Sequence, residues 1–246
     1  MLLKTEAVTK EFGGVTAVDK VTLNIDEGEL AAIIGPNGAG KTTFFNLIAG
    51  KFPPDEGRIL FRGEDITRLP AHKRVDKGIA KTFQIPSVFQ NLTVFENVRV
   101  SAQARSITGP RYLLSTMGRD AETNEVAETL LKRVGLLEFR DRKVAGLPHG
   151  HKKRLEIGMA LSLQPRLLLL DEVTAGLTAE ETREMTEFIR ELSRTNTIII
   201  VEHKLDVVLG LSKRICVMHQ GRLIADGSPE EIQENSTVQE VYLRGR

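Results

Sequence analysis

The sequence predicts an α/β domain with a parallel-sheet core, an N-terminal antiparallel β portion and an inserted helical subdomain. Short segments of alternating apolar and polar residues fill the first 35 positions, as in β-strands. Helical periodicity dominates residues 92–161, and apolar runs alternate with amphipathic segments after them. A chain of 246 residues fits one domain, with residues 1–91 and 162–246 as the core.

The opening segments "AVTKEF", "KVTLNI" and "ELAAIIG" are separated by glycine-containing turns and are predicted strands. The next segment, "GKTTFFNLIAG", has apolar residues at helical spacing and closes on Gly50, a residue typical of a helix end. The chain therefore passes from a buried strand through a glycine-rich turn into a helix.

Helical spacing of apolar residues predicts helices over "AETNEVAETLLKRVGLL" and "HKKRLEIGMALSL" in the inserted subdomain. The apolar runs in "RLLLLDE" and "TIIIVEH" predict strands buried on both faces, with the amphipathic helix "AEETREMTEFIRELSR" between them. The segments "RICVMHQ" and "RLIADG" form a predicted terminal strand pair.

Composition limits the function classes without naming one. The 34 basic and 33 acidic residues leave a net charge of +1, so no global field attracts nucleic acid or an anionic membrane. Cys216 is the only cysteine and lies in an apolar run, which favours a buried structural thiol and excludes a disulfide scaffold within the chain. No signal-peptide pattern or long apolar stretch is present, and we expect a cytosolic protein.

The segment "GPNGAGKTT" matches the phosphate-binding pattern G-x-x-x-x-G-K-[ST] at Gly35, Gly40, Lys41 and Thr42, between a predicted strand and a predicted helix. In such a loop, backbone N–H groups surround the β-phosphate, the lysine reaches the β and γ oxygens, and the hydroxyl of Thr42 binds Mg²⁺. The motif predicts a P-loop NTPase (RecA-like) core that binds a nucleotide.

Two acids follow the predicted strand "RLLLL". Asp171 stands where P-loop enzymes hold Mg²⁺, and Glu172 would lie beside the γ-phosphate to orient or deprotonate water. The alternative is that both are solvated charges at a strand end. His203 ends the strand in "TIIIVEH" at the same predicted sheet edge, where it could donate a hydrogen bond to the γ-phosphate.

Five ordered motifs, "GPNGAGKTT", "TFQ", "LPHGH", "LLLLDE" and "VEH", resemble those of the ATP-binding-cassette (ABC) ATPase family over nearly the whole chain. The resemblance implies ATP and Mg²⁺ as cofactors, adenine stacking on Phe12, contacts to Mg²⁺ and water from Gln84, catalysis by Glu172 and γ-phosphate sensing by His203. The residues implied in phosphate binding are Gly35, Pro36, Asn37, Gly38, Ala39, Gly40, Lys41, Thr42 and Thr43.

In this family two ATPase domains pair head to tail, and each ATP lies between one P-loop and the partner's signature segment. The signature here is "LPHGH" instead of L-S-G-G-Q, so only Leu147 and Gly150 match. Pro148 removes a serine hydroxyl, but the Gly150 N–H and the following helix N-terminus still attract an anion. We expect a heterodimer whose partner supplies a better signature.

Two further departures from the family pattern are Val173, where proline usually follows the acids, and Thr178, where many members carry aspartate. They bear on communication between the paired ATPase domains.

The segments "TFQIPSVFQNLTVFENV", "LEIGMAL", "DEVTAGLTAEE" and "VQEVYL" are similar to the branched-chain amino acid importer branch and its relatives for urea or short amides. That likeness implies two transmembrane permease subunits and an extracytoplasmic substrate-binding protein. The permease subunits would be contacted through Ile85, Val88 and Phe89, although these apolar residues could equally belong to the local core. It places the chain peripherally on the cytoplasmic face of the plasma (inner) membrane, without nucleic acid. The alternatives are a soluble ABC-type ATPase acting on DNA or ribosomes and a non-hydrolysing nucleotide-gated interaction protein.

Overall fold

The computed structural model describes residues 1–82, 87–106 and 116–244. Its first sheet is antiparallel and four-stranded, in the order β2-β1-β4-β5. Its strands are β1 (Leu3–Phe12), β2 (Val15–Ile25), β4 (Glu56–Phe61) and β5 (Glu64–Asp65). The expected N-terminal antiparallel portion is therefore present, and it extends beyond the P-loop into two strands that the sequence did not indicate.

The second sheet has six strands in the order β10-β9-β3-β8-β7-β6. All its pairs are parallel except that of β10 with β9. The strands are β3 (Leu30–Ile34), β6 (Ile79–Lys81), β7 (Leu167–Asp171), β8 (Thr197–Val201), β9 (Arg214–His219) and β10 (Arg222–Gly227). Because β3, β7 and β8 are neighbours, the loops that follow them meet at one edge of the sheet.

The helices are α1 (Lys41–Ala49), α2 (Ala71–Asp76), α3 (Val94–Ser106), α4 (Thr116–Arg133), α5 (His149–Ser162), α6 (Ala179–Ser193), α7 (Leu205–Leu211), α8 (Pro229–Glu234) and α9 (Ser236–Arg244). Helices α3, α4 and α5 pack on one another. They form the helical part that the sequence predicts, while its boundaries at residues 92 and 161 stay a prediction.

Two apolar clusters cover the two faces of the parallel sheet. Ala32 and Ile34 of β3 belong to one cluster, which also receives α5 and α6, and Ala31 and Ile33 belong to the other, which receives α1 and the antiparallel sheet. Successive strand residues point to opposite faces, so a strand buried on both faces must be apolar throughout. This explains the unbroken apolar runs in the sequence.

The cysteine behaves as the sequence predicts: Cys216 is buried in β9, and burial raises the pKa of its thiol. Within the described ranges, no helix combines the length and the hydropathy needed to cross a bilayer.

Candidate nucleotide-binding and hydrolysis site

The P-loop connects the end of β3 to the start of α1, and two of its glycines are sterically required. A β-carbon on Gly35 would lie 2.1 Å from the carbonyl oxygen of Met218, and one on Gly40 would lie 2.3 Å from that of Ala17. Gly40 is also the N-cap of α1, with φ 96°. Close packing against β9 and β2 therefore fixes the turn that exposes the amides at the start of α1.

Lys41 lies inside this turn and is buried. Its Nζ donates hydrogen bonds to the carbonyl oxygens of Gly35, at 2.7 Å, and Pro36, at 2.9 Å. Burial lowers the pKa of Lys41, and the nearby carboxylates of Glu172 and Asp171 oppose that shift. The ammonium group is thus held where phosphate oxygens would arrive.

Asp171 ends β7 and is buried. Its Oδ2 lies 3.0 Å from Nζ of Lys81. Among the described residues, the buried Oδ1 has no hydrogen-bond partner. A carboxylate oxygen left open in this way fits a Mg²⁺ ion with its water shell, which takes oxygen ligands. The donor set of Asp171 and the Thr42 hydroxyl suits that ion.

Glu172 and His203 form a close pair at the sheet edge. Nε2 of His203 lies 2.5 Å from Oε1 of Glu172. Both residues line a cavity of about 450 Å³ together with the P-loop. The lining residues are Ala17, Asn37, Gly38, Ala39, Gly40, Lys41, Thr42, Thr43, Glu172 and His203. The structure thus brings together two groups of residues that are far apart in sequence.

The structure says less about the roles of three other expected site residues, Phe12, Gln84 and Gly150. Phe12 ends β1, is 47% exposed, and makes an edge contact with Phe52 at 5.3 Å between ring centroids. It pairs with Val15 at the head of the β1–β2 hairpin, whose Ala17 lines the cavity. Its stacking on adenine stays a prediction.

Gln84 lies outside the described residues, as does Ile85. Gly150 lies in the first turn of α5 and is not among the residues that line the cavity. Its contact with the ATP of a partner subunit stays a prediction. Its side-chain position is crowded, because a β-carbon there would lie 3.3 Å from Oε1 of Glu181.

Sequence reasoning missed a buried polar cluster behind the cavity. Nζ of Lys153 donates a hydrogen bond to the Glu172 carbonyl oxygen at 2.7 Å. The carboxylate of Glu202 accepts hydrogen bonds from the Thr174 N–H, at 2.8 Å, and hydroxyl, at 2.9 Å. Burial raises the pKa of Glu202 and lowers that of Lys153. A sequence signal exists: Lys153 lies four and seven residues before Ile157 and Ala160, on the buried face of α5.

In the described part of the chain, no group of three or more His, Cys, Asp or Glu side chains could hold a metal by itself. In P-loop chemistry, a hydroxyl and phosphate oxygens supply much of the Mg²⁺ coordination.

The parallel sheet, the glycine turn and the acid pair define a P-loop ATPase cassette. Comparison with known proteins identifies its family. Residues 18–175 match the family model described as "ABC transporter", and residues 222–243 match the one described as "Branched-chain amino acid ATP-binding cassette transporter". The chain belongs to the ABC transporter ATPase family and is an ATP-hydrolysing enzyme, as the motifs predict.

Among the curated relatives, the high-affinity branched-chain amino acid transport ATP-binding protein LivG of Escherichia coli (strain K12) is 40% identical over 248 aligned positions. The alignment covers 98% of this chain and 97% of that protein. A solved ATP-binding cassette of an ABC transporter in its ADP conformation superimposes with a TM-score of 0.87 at 32% identity, covering 98% of both chains. A dimeric cassette in a post-hydrolysis state with ADP and Pi gives 0.78 at 26% identity, covering 93% of this chain and 99% of the other.

Proposed function

We propose that this chain powers an importer for branched-chain amino acids by hydrolysing ATP at the cavity between the P-loop and the Glu172–His203 pair. The placement of that pair on the P-loop cavity is the observation that carries the hydrolytic assignment. The cargo class is supported by the likeness to LivG over nearly the full chain and by the match of residues 222–243.

Binding relies on charge complementarity at the glycine turn. The amides at the start of α1 and the Lys41 ammonium hold the β and γ phosphates. Thr42, Asp171 and Gln84 would hold Mg²⁺, and the buried Oδ1 of Asp171, which has no hydrogen-bond partner among the described residues, would be available to it. Mg²⁺, when bound, neutralises charge on the phosphate oxygens. Phe12 would stack on the adenine ring.

Glu172 orients the attacking water and accepts its proton, because an ionised carboxylate beside the γ-phosphate can take both roles. His203 holds the Glu172 carboxylate through Nε2, and its imidazole also lines the same cavity. When ATP is bound, the imidazole donates to the γ-phosphate, and Glu172 is left to the water.

The proposed partners follow from the site being incomplete in one chain. Gly150 and the N-terminus of α5 would meet the ATP of a second ATPase subunit, and the changed signature favours a heterodimer. Closure of the pair moves two permease subunits, which a substrate-binding protein serves from outside the cell. Phe89 is 52% exposed and Val88 beside it packs inward, so Phe89 is the proposed permease contact on the cytoplasmic side.

The experiment measures ATP turnover by the chain alone, with a second ATPase subunit, and with the membrane subunits in proteoliposomes. Glu172→Gln should reduce kcat by roughly a hundredfold or more at retained affinity for ATP. Glu191→Gln, an exposed acid on α6, is the control and should leave kcat unchanged.

Leucine uptake by the proteoliposomes tests the cargo class. Uptake of leucine that requires ATP and is lost in Glu172→Gln supports the proposal. Uptake of urea or short amides without leucine would overturn the cargo class and keep the motor. Turnover stimulated only by DNA or ribosomes would overturn the transport role itself.

A further inference from the structure

One helix carries both the "LPHGH" segment and the group that holds the catalytic glutamate. Helix α5 begins at His149, and Lys153 lies one turn later on its buried face, 3% exposed. The Lys153 ammonium donates a hydrogen bond to the carbonyl oxygen of Glu172, the residue that follows β7, at 2.7 Å. This hydrogen bond links the helical part of the chain to the main chain of the proposed catalytic residue.

The main chain of Glu172 needs such support. Its φ of 50° places a residue with a β-carbon in the left-handed region, which persists only where the surroundings enforce it. The Glu172 N–H donates to the Val201 carbonyl oxygen at 2.9 Å, and Lys153 holds the carbonyl group. Both polar main-chain groups of Glu172 are therefore fixed, and with them the direction of its side chain towards His203.

Glu202 provides a second anchor in the same cluster. Its buried carboxylate binds Thr174, two residues after Glu172, and belongs to the residue before His203. It lies close enough to Lys153 to interact with it electrostatically. The cluster therefore ties the segments of Glu172 and His203 to each other, while Lys153 ties them to α5.

We propose that Lys153 is a positioning residue that holds the Glu172 main chain in the hydrolytic geometry from helix α5, which begins within "LPHGH". This inference rests on the proposed catalytic role of Glu172. Because α5 also carries Gly150, a rotation of the helix when it meets the partner's nucleotide would shift the anchor of Glu172 as well. Binding at one ATP site would then be felt at the other.

The test compares Lys153→Met and Lys153→Arg in the assembly in which the unmodified chain turns over ATP. Lys153→Met should lower kcat about tenfold or more, because small displacements of a catalytic group are costly, and leave the KM for ATP and nucleotide affinity within about twofold. Lys153→Arg, which retains charge and donors, should recover part of the loss. Lys132→Met, an exposed lysine on α4, should change neither kcat nor KM.

A double variant separates positioning from a purely structural role. Since Lys153 acts through Glu172, adding Lys153→Met to Glu172→Gln should slow turnover by less than about twofold further. Three results would overturn the proposal. The first is a wild-type kcat in Lys153→Met, and the second is an additive loss of kcat in the double variant. The third is a loss of kcat that only parallels lost nucleotide binding and a lower Tm in both Lys153 variants. Full turnover by Glu172→Gln alone would instead overturn the catalytic assignment of that residue.

Discussion

Arg74 stabilises the P-loop helix from its far end, and its removal should be costly. The side chain is 1% exposed, and its guanidinium donates to four main-chain carbonyls. Two of them, of Leu47 and Ile48, belong to the last turn of α1, and the other two belong to Thr67 and Leu69. The burial that this requires lowers the pKa of Arg74 to about 10.

In the variant Arg74→Met, all four carbonyls lose the guanidinium. The Leu47 oxygen still accepts from the N–H of Gly50, and the other three are left without a donor among the described residues. At about 1 kcal/mol for each buried carbonyl left without it, the free energy of unfolding should fall by about 3 kcal/mol. For a domain of this size, the Tm should drop by about 6 to 12 °C.

A urea titration monitored by circular dichroism measures the free energy of unfolding, and differential scanning calorimetry measures the Tm. Arg68→Met, which removes an exposed arginine six residues earlier, is the control and should cost less than about 0.5 kcal/mol. A loss below about 1 kcal/mol in Arg74→Met would refute the reasoning, because it would mean that water replaces the guanidinium at those carbonyls.

Three other changes test separate parts of the structure. Lys41→Met should weaken ATP binding roughly tenfold or more by calorimetry, because it removes a charged hydrogen-bond donor from the P-loop. Hydrogen bonds from Arg214 hold the pKa of Asp226 below its usual range. Asp226→Asn should therefore destabilise the protein at neutral pH, with a difference in urea that shrinks as pH falls below about 4. The buried Cys216 should resist Ellman's reagent at about pH 8 until the protein is unfolded.

The two substitutions have matched controls. Lys51→Met, an exposed lysine just after α1, should bind ATP normally, and equal affinities for the two lysine variants would contradict the role of Lys41. Asp141→Asn, whose side chain is 88% exposed, should show little pH-dependent difference. A pH-independent cost of Asp226→Asn would remove the ion pair as its cause. Rapid labelling of the native thiol would show that the β9 core opens.

The sequence predicted those strands and helices that have a recognisable local pattern of apolar residues or glycines. Apolar runs predicted β3, β7 and β8, and the closing glycine predicted the end of α1, since Gly50 adopts the left-handed conformation there. It did not indicate β4, β5 or β6: β5 and β6 have only 2 and 3 residues, and β4 is buried at Ile59 and Phe61 alone, so none of them shows a period. Their place is set by pairing: β4 lies beside β1, β5 beside β4, and β6 beside β7.

The candidate site likewise has a part that could be predicted from the sequence and a part that could not. The P-loop and the Asp171–Glu172 pair could be predicted because each is a short motif beside a recognisable strand. The contact of Lys153 with Glu172, and the ion pair of Lys81 with Asp171, could not be predicted. Helical spacing can place Lys153 on a buried face, but it does not show which group the ammonium contacts. The roles of both lysines depend on which elements pack around the acid pair, and only the tertiary structure provides that.

The residues that depart from the ABC family pattern differ in the structural roles that they have in this chain. Thr178 caps α6, because its hydroxyl accepts from the Glu181 N–H at 3.2 Å and the Glu181 carboxylate accepts from the Thr178 N–H at 2.9 Å. Threonine therefore has a structural role at this position. The same Glu181 crowds the position of Gly150.

Pro148 is the N-cap of α5 and offers no side-chain cap, while its carbonyl accepts the first helical bond from Lys152. The first amides of α5 therefore have no acceptor from the helix itself, and they stay available to an anion. Glycine is thus present at position 150, where a side chain would press on Glu181. The neighbouring residues that depart from the family pattern lie at positions where the local structure accommodates them. On this geometry, the proposed weakness of the signature lies in lost side-chain contacts to ATP, while the backbone N–H groups proposed to bind phosphate are intact.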